Sequence, residues 1–146
     1  MRVLIAGASG LVGTALAAAL AADGYTVGRF ARVGTPAREG DVAWNPDRGE
    51  GGEFDFAAAE GAGVVVNLAG ASIGGARWTA KRKVELRKSR VDLTRGLVRN
   101  LSQLQRKPAV LVSASAIGYY GDRGYEILTE TSAPGSDFLA GIARDW

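Results

Sequence analysis

Apolar residues along this chain form short runs that alternate with longer stretches of helical spacing. The runs predict five strands, at residues 2–6, 25–30, 41–44, 64–68 and 108–113. Between them the spacing predicts a helix at 11–22, a short helix at 54–60 and a long helix at 79–105. Such alternation is typical of an α/β protein with a parallel sheet and right-handed crossovers. We therefore predict a three-layer, doubly wound sheet with helices on both faces.

The long predicted helix combines an apolar pattern with a basic segment. Val84, Val91 and Val98 recur at helical spacing, as do Leu101 and Leu104, and we expect them to face the core. Residues 81–90 hold six basic residues and one acidic residue, which accounts for the positive net charge. Clustered Lys and Arg can bind nucleic-acid phosphates. We favour a solvated helix face between the valines and expect no nucleic-acid partner.

The composition excludes several classes of function. The chain has neither cysteine nor histidine, so thiolate and imidazole metal sites are absent and imidazole cannot serve as a base. No run approaches the roughly 18 apolar residues that span a bilayer. Glycines interrupt the N-terminal apolar run, which indicates a strand and turn rather than a signal peptide. We expect a soluble, cytoplasmic protein without membrane association.

A glycine-rich turn follows the first predicted strand and opens the first predicted helix. In a strand–turn–helix context, such glycines allow a tight turn, close approach of a pyrophosphate and close helix–strand packing. The helix N-terminus then meets the phosphate charge. This context predicts a Rossmann-type dinucleotide site, whereas a purely structural turn is the competing interpretation. The expected cofactor-binding residues here are Gly7, Ser9, Gly10, Leu11, Val12 and Gly13.

The end of the second predicted strand bears on which dinucleotide is bound. NAD-binding units usually carry an acidic residue there to hold the ribose hydroxyls. This chain has Arg29 and Arg32 and no carboxylate in that segment. Because a guanidinium can clamp a 2′-phosphate, Arg32 favours NADP over NAD. The alternative is that both arginines are solvated surface residues.

Taken together, these segments resemble the extended short-chain dehydrogenase/reductase superfamily. The resemblance is greatest to its atypical, sugar-nucleotide epimerase-like branch within the NAD(P)-dependent epimerase/dehydratase family. Members of that branch are about twice as long as this chain. The resemblance therefore implies that residues 1–146 form an incomplete NAD(P)-binding Rossmann domain, without its C-terminal strands and substrate domain. The matching strings are 7–13, 44–46, 67–70, 77–79, 89–91 with Thr94, 113–121, 128–130, 134–135 and 137–139.

The resemblance also implies roles for residues at two strand ends. Leu68, Ala69 and Gly70 would lie along the ribose and nicotinamide of the cofactor. Ser113 would lie beside the nicotinamide, and Ser115 would orient a substrate carbonyl or hydroxyl. Ligands of open α/β sheets bind at the carboxyl ends of strands, which agrees with these positions. The alternative is that the serines only satisfy backbone groups.

One departure from the superfamily affects catalysis. Typical members carry a Tyr-x-x-x-Lys pair on the next helix, in which lysine lowers the tyrosine pKa. The register places Phe138 and Ile142 there, and neither can transfer a proton. Tyr119 or Tyr120 are candidate substitutes, although both could equally be packing aromatics.

Two hypotheses for function follow from these observations. The first is an NADP-dependent oxidoreductase or epimerase acting on a small carbonyl or hydroxyl substrate, with a nucleotide-linked sugar as one candidate. The second is a non-catalytic NADP-binding sensor or regulator. The resemblance also implies that the long helix can lie at a dimer interface, which leaves a homodimer open.

Overall fold

Six strands form one sheet in the computed structural model, which describes residues 1–32, 34–36, 38–48 and 52–146. The strand order is β4-β3-β2-β1-β5-β6, and all neighbours are parallel except β3 and β4. The direction of progression reverses between β1 and β5, which is where such sheets open a crevice. The predicted doubly wound Rossmann-type fold is thus confirmed. The strands are β1 Arg2–Ala6, β2 Thr26–Ala31, β3 Val42–Asn45, β4 Glu53–Phe54, β5 Val64–Asn67 and β6 Val110–Ser113.

Five α-helices accompany the sheet in the described part of the chain. They are α1 Leu11–Ala22, α2 Phe56–Ala59, α3 Ala80–Arg87, α4 Leu93–Ser102 and α5 Phe138–Asp145. A π-helical turn, Lys88–Asp92, joins α3 to α4, and a 3₁₀ turn, Ile117–Tyr120, follows β6. None of the helices in the described ranges has the length and apolarity to cross a bilayer.

Two helix predictions need correction. The predicted short helix at 54–60 is wrong at its start, because Phe54 belongs to β4 and the Asp55 carboxylate caps α2 by accepting from the Ala58 N–H at 2.9 Å. The predicted continuous helix at 79–105 is interrupted by the π-helical turn and ends at Ser102. A periodicity of apolar residues cannot distinguish one extra residue in a turn from a regular helix.

Helices pack on both faces of the sheet, as predicted. On one face, Leu4, Val42 and Val65 contact leucines of α4, including the fully buried Leu97. On the other face, Val3, Ile5 and Val66 contact α1 through a set of partly buried residues: Leu16, Ala17 and Leu20. The central strand β1 therefore alternates its side chains between two apolar layers.

The apolar face predicted for the long helix is wrong in part. Val91 is buried, but Val84 and Val98 are 55% and 45% exposed. Leu101 and Leu104 are buried as predicted, and so are Leu86, Leu93 and Leu97, which the prediction did not include. The valines and the leucines both recur at helical spacing, and the larger leucines bury more apolar area. The basic segment is also not uniformly solvated, because the Arg82 side chain is only 16% exposed and Arg90 is half-buried.

Candidate dinucleotide-binding site

The turn between β1 and α1 is shaped by close backbone approach. Gly7 has a φ of +79°, and a Cβ there would lie 2.7 Å from the main-chain carbonyl of Leu68. A Cβ on Gly13 would lie 2.3 Å from the Gly7 carbonyl oxygen. At Gly10 a Cβ would come no closer than 3.4 Å to a protein atom. The packing of the protein thus requires glycine at 7 and 13, whereas protein atoms alone would tolerate a methyl group at 10.

A cleft of about 770 Å³ opens at the carboxyl ends of β1, β2, β3 and β5. Its volume lies in the usual range for a small-molecule site. The glycine turn forms one side, and the π-helical turn with the start of α4 forms the opposite side. Its lining includes Gly7, Ala8, Ser9, Arg29, Phe30, Ala31, Arg32, Thr35, Trp44, Pro46, Asp47, Ala69, Gly70, Ala71, Lys88, Ser89, Asp92, Arg95 and Arg99.

The two arginines at the end of β2 have different surroundings. Arg29 is paired with Asp41, to which its Nε donates at 3.0 and 3.1 Å. The hydrogen bond that Arg29 donates to Asp41 raises the pKa of Arg29, although burial opposes this shift. Arg32 is exposed on the cleft wall, and its guanidinium forms no ion pair or hydrogen bond with any of the described residues. The guanidinium that remains available to an anion in this segment is therefore that of Arg32.

The buried side-chain amide of Asn67 holds the carboxyl end of β5 in place. Asn67 is fully buried, and its Nδ2 donates to the Thr94 hydroxyl at 2.8 Å, while its Oδ1 accepts from the Ala69 N–H at 3.3 Å. Ala69 and Gly70 then continue along the cleft. Leu68 instead packs its side chain against the core on the α1 face.

The catalytic candidates Ser115, Tyr119 and Tyr120 follow the carboxyl end of β6, where the cofactor-binding candidate Ser113 lies, and all four are outside the lining of this cleft. Ser113 pairs in register with Asn67, and the exposed Ser115 follows two residues later. The rings of Tyr119 and Tyr120 meet edge to face, with centroids 5.1 Å apart. Neither phenol forms a hydrogen bond within the described residues.

The remaining predicted residues of the glycine turn also lie outside the cleft lining. Gly10, Leu11, Val12 and Gly13 follow the part of the turn that lines it, and the Leu11 and Val12 side chains are 92% and 63% exposed. The turn therefore presents its first three residues to the cleft and its helical start to solvent.

The helix that the register aligns with a Tyr-x-x-x-Lys pair carries apolar groups at both positions. Phe138 packs edge to face on Trp78 at 5.9 Å, and the Lys83 Nζ lies 5.1 Å from the Phe138 ring centroid. Ile142 is 4% exposed and lies in the core. Neither side chain has a group that can transfer a proton.

The sequence did not predict the wall of the cleft opposite the glycine turn. Trp44, Pro46, Ser89, Asp92, Arg95 and Arg99 all line it. Two of the segments used for the resemblance, 44–46 and 89–91, contribute residues to this wall. The resemblance at these segments could therefore have indicated it. The prediction of a solvated basic face on the long helix does not include this lining, because helical spacing does not reveal which charged face lines a cleft.

Known proteins are similar to this chain in sequence and in fold. A family model described as the NAD dependent epimerase/dehydratase family matches residues 3–138. An epimerase family protein of Mycobacterium leprae is 41% identical over 144 residues, which cover 99% of this chain and 45% of that protein. The chain thus spans about half the length of the curated relatives it matches.

Two solved structures extend this similarity. Human epimerase family protein SDR39U1, solved with NADPH, superposes with a TM-score of 0.83 at 26% identity, over 100% of this chain and 47% of that one. A nucleoside-diphosphate sugar epimerase from Corynebacterium glutamicum superposes with a TM-score of 0.79 at 36% identity, over 100% of this chain and 29% of that one.

Proposed function

Because this chain belongs to the NAD-dependent epimerase/dehydratase family, we propose that it forms the cofactor-binding part of an NADP-dependent oxidoreductase or epimerase. The cofactor lies in the cleft between the glycine turn and α4. The substrate presents a carbonyl or hydroxyl group at the carboxyl end of β6, the strand next to β5.

The observation that carries the choice of NADP is the division of roles between Arg29 and Arg32. Asp41 neutralises Arg29, so that guanidinium is committed to the fold. Arg32 stands at the end of β2 with no carboxylate beside it among the described residues. An unpaired guanidinium at this position suits a 2′-phosphate, whereas a 2′-hydroxyl is usually held by a carboxylate.

Two further observations support cofactor binding in the cleft. The first three residues of the glycine turn line the cleft, and Gly10 directly after them is not required by protein packing, which is consistent with a pyrophosphate at the start of α1. The human relative was solved with NADPH, which agrees with the phosphorylated dinucleotide.

The test is a comparison of NADPH and NADH affinities by fluorescence titration. We expect the protein to prefer NADPH, and Arg32→Ala to weaken NADPH roughly 10- to 100-fold while leaving NADH unchanged, since one charge-assisted contact is lost. Arg106→Ala is the matched control, because Arg106 is exposed near Gly61, at the opposite end of β5 from the cleft. Equal affinity of the wild type for NADPH and NADH would overturn the NADP assignment.

We place substrate at the end of β6, where Ser115 orients the reacting oxygen and Tyr119 or Tyr120 completes the contact. Ser115 is exposed beyond the strand end, and the two tyrosines follow in the 3₁₀ turn. The relative from Corynebacterium glutamicum is named as a nucleoside-diphosphate sugar epimerase, so a nucleotide-linked sugar is a candidate substrate.

A second candidate function is favoured by Phe138 and Ile142. Their packing leaves no acid or base at these two positions of α5, which suits a cofactor-binding regulator without turnover. A turnover screen of the full-length protein against carbonyl and hydroxyl substrates separates the two candidates. Turnover that falls with Ser115→Ala supports the enzyme, turnover unaffected by that change removes Ser115 from the mechanism, and NADPH binding without any turnover supports the regulator.

A further inference from the structure

The backbone of Ala71, a residue that lines the cleft, is held at both its N–H and its carbonyl by the π-helical turn. The Ala71 N–H donates to the Ser89 hydroxyl at 3.0 Å, and the Arg90 guanidinium donates to the Ala71 carbonyl at 3.0 Å. Both side chains also donate to the main-chain carbonyl of Leu86, at 3.1 and 3.3 Å. Two consecutive residues of one turn thus bind both backbone polar groups of Ala71, which belong to the two successive peptide units that flank its Cα in the cleft wall.

Arg90 is a costly residue for a purely packing role. It is half-buried, and within the described residues it has no carboxylate partner. Burial lowers the pKa of Arg90, and the neighbouring Arg82 lowers it further. Because a buried cation without a counter-charge is unfavourable, an apolar residue would fill this position at lower cost if packing were its only role.

The segment after Ala71 is held in the same way. Arg82 donates to the Ser72 carbonyl, so two guanidinium groups bind two successive carbonyls of the β5–α3 connection. Gly70 lies directly against Arg90, because a Cβ there would be 3.1 Å from the guanidinium carbon. The planar fork of arginine can serve several carbonyls at once, which a lysine ammonium does less well.

Arg90 also contacts the helix on the substrate side. Its guanidinium carbon lies 5.4 Å from the centroid of the Trp146 ring, and the Trp146 indole N–H donates to the Thr94 hydroxyl at 3.0 Å. The same hydroxyl accepts from the buried Asn67. The Arg90 side chain therefore contacts both the cleft wall at Ala71 and Trp146, the residue that follows α5.

We propose that Ser89 and Arg90 are positioning residues that set the backbone of Ala71, and with it the cleft wall at 69–71, for cofactor binding. π-Helical turns are rare and often occur at functional sites, which suits this role. The inference rests on the proposed function, because it needs a dinucleotide in the cleft. Neither residue has to contact the 2′-phosphate.

The test compares NADPH and NADH affinities for Ser89→Ala, Ser89→Thr and Arg90→Lys by calorimetric titration. Ser89→Ala and Arg90→Lys should weaken both cofactors by the same factor, roughly threefold to tenfold, since each loses about one hydrogen bond that orders the wall. Ser89→Thr keeps the hydroxyl and should restore wild-type affinity. Arg87→Ala is the matched control. The Arg87 guanidinium pairs with the Asp145 carboxylate of α5 at 2.6 Å and, among the described residues, forms no hydrogen bond with residues 69–72.

Hydrogen exchange of the cofactor-free protein provides a second readout. The Ala71 amide should exchange faster in Ser89→Ala than in the wild type, while the urea midpoint changes little. Wild-type affinities for both cofactors in Ser89→Ala and Arg90→Lys, with unchanged exchange at Ala71, would overturn the positioning role. Loss of NADPH affinity alone would also overturn it, because that pattern belongs to a phosphate contact. If the wild type binds NADPH and NADH equally well and these variants weaken both cofactors equally, the result would support the positioning role and contradict only the NADP assignment.

Discussion

Arg29 donates from Nε to both carboxylate oxygens of Asp41, at 3.0 and 3.1 Å. The Asp41 side chain is 4% exposed and also accepts from the backbone N–H groups of Arg29 and Arg38. Burial alone would raise the pKa of Asp41, but these hydrogen bonds outweigh it and hold the pKa below its ordinary value. The pair joins β2 to the segment that leads into β3.

Asp41→Asn should lower the free energy of unfolding by roughly 1–3 kcal/mol at neutral pH, because the charge facing Arg29 is lost. Because the pKa of Asp41 is lowered in the folded protein, the stabilisation by its ionised carboxylate is complete above the pKa of about 3.9 in the unfolded chain. It is lost as the pH falls through the lower pKa of the folded protein. Urea unfolding across this range should show the difference between wild type and variant narrowing below about pH 4. A difference that stays constant in acid would contradict this account.

Two helical glycines should respond oppositely to the same substitution. Gly13→Ala places a Cβ 2.3 Å from the Gly7 carbonyl oxygen and should destabilise the protein by roughly 1–3 kcal/mol or more. Gly141→Ala, in α5, meets no atom within 4 Å and should stabilise by about 0.5–1 kcal/mol, because the unfolded chain loses freedom. Thermal unfolding of both variants checks this pair. Destabilisation of similar size in both would show that the close approach at Gly13 is not the cause.

The orientation of α4 can be tested at two neighbouring positions. Leu97 is fully buried, so Leu97→Ala should cost roughly 2–5 kcal/mol through lost burial and a cavity. Val98 is 45% exposed, so Val98→Ala should change stability by no more than about 0.5 kcal/mol. Denaturant midpoints of the two variants are the measurement, and a reversed order would mean that the valine series faces the core.

The Thr94 hydroxyl receives two side-chain donors, from Asn67 at 2.8 Å and from Trp146 at 3.0 Å. Thr94→Val keeps the shape but leaves both donors without this acceptor, so we expect a loss of roughly 2–4 kcal/mol. Thr94→Ser keeps the hydroxyl and should lose far less. Urea unfolding followed by tryptophan fluorescence measures both, and equal losses would mean that the methyl group rather than the hydroxyl matters.

Much of the fold could be predicted from local signals. The predicted helix at 11–22 coincides with α1, because the glycine turn before it and Asp23-Gly24 after it are signals within a few residues of each end. The two-residue strand β4 was missed, since its existence depends on antiparallel pairing with β3 rather than on its own composition. The π-helical turn was missed for a related reason: its extra residue changes hydrogen bonding without changing which residues are apolar.

The candidate site was predicted on one wall only. Gly7, Ser9, Arg32, Ala69 and Gly70 all line one cleft, as strand ends of a parallel sheet should. The other wall comes from Lys88, Asp92, Arg95 and Arg99, whose charges are indistinguishable in sequence from those of a solvated helix. Only the packing of α4 against the sheet turns that charged face toward the glycine turn.

The sequence by itself determined the glycine turn, because the positive φ of Gly7 and the close approach of Gly13 to the Gly7 carbonyl both belong to the local strand–turn–helix geometry that the sequence predicts. It also supplied two arginines at the end of β2 without distinguishing them. Only the tertiary structure decided that Arg29 is neutralised, whereas Arg32 meets no carboxylate among the residues that the structure describes. The reason is that charge pairing depends on distance in space, and the strand pairing of β2 with β3 brings Asp41, twelve residues away in sequence, against Arg29.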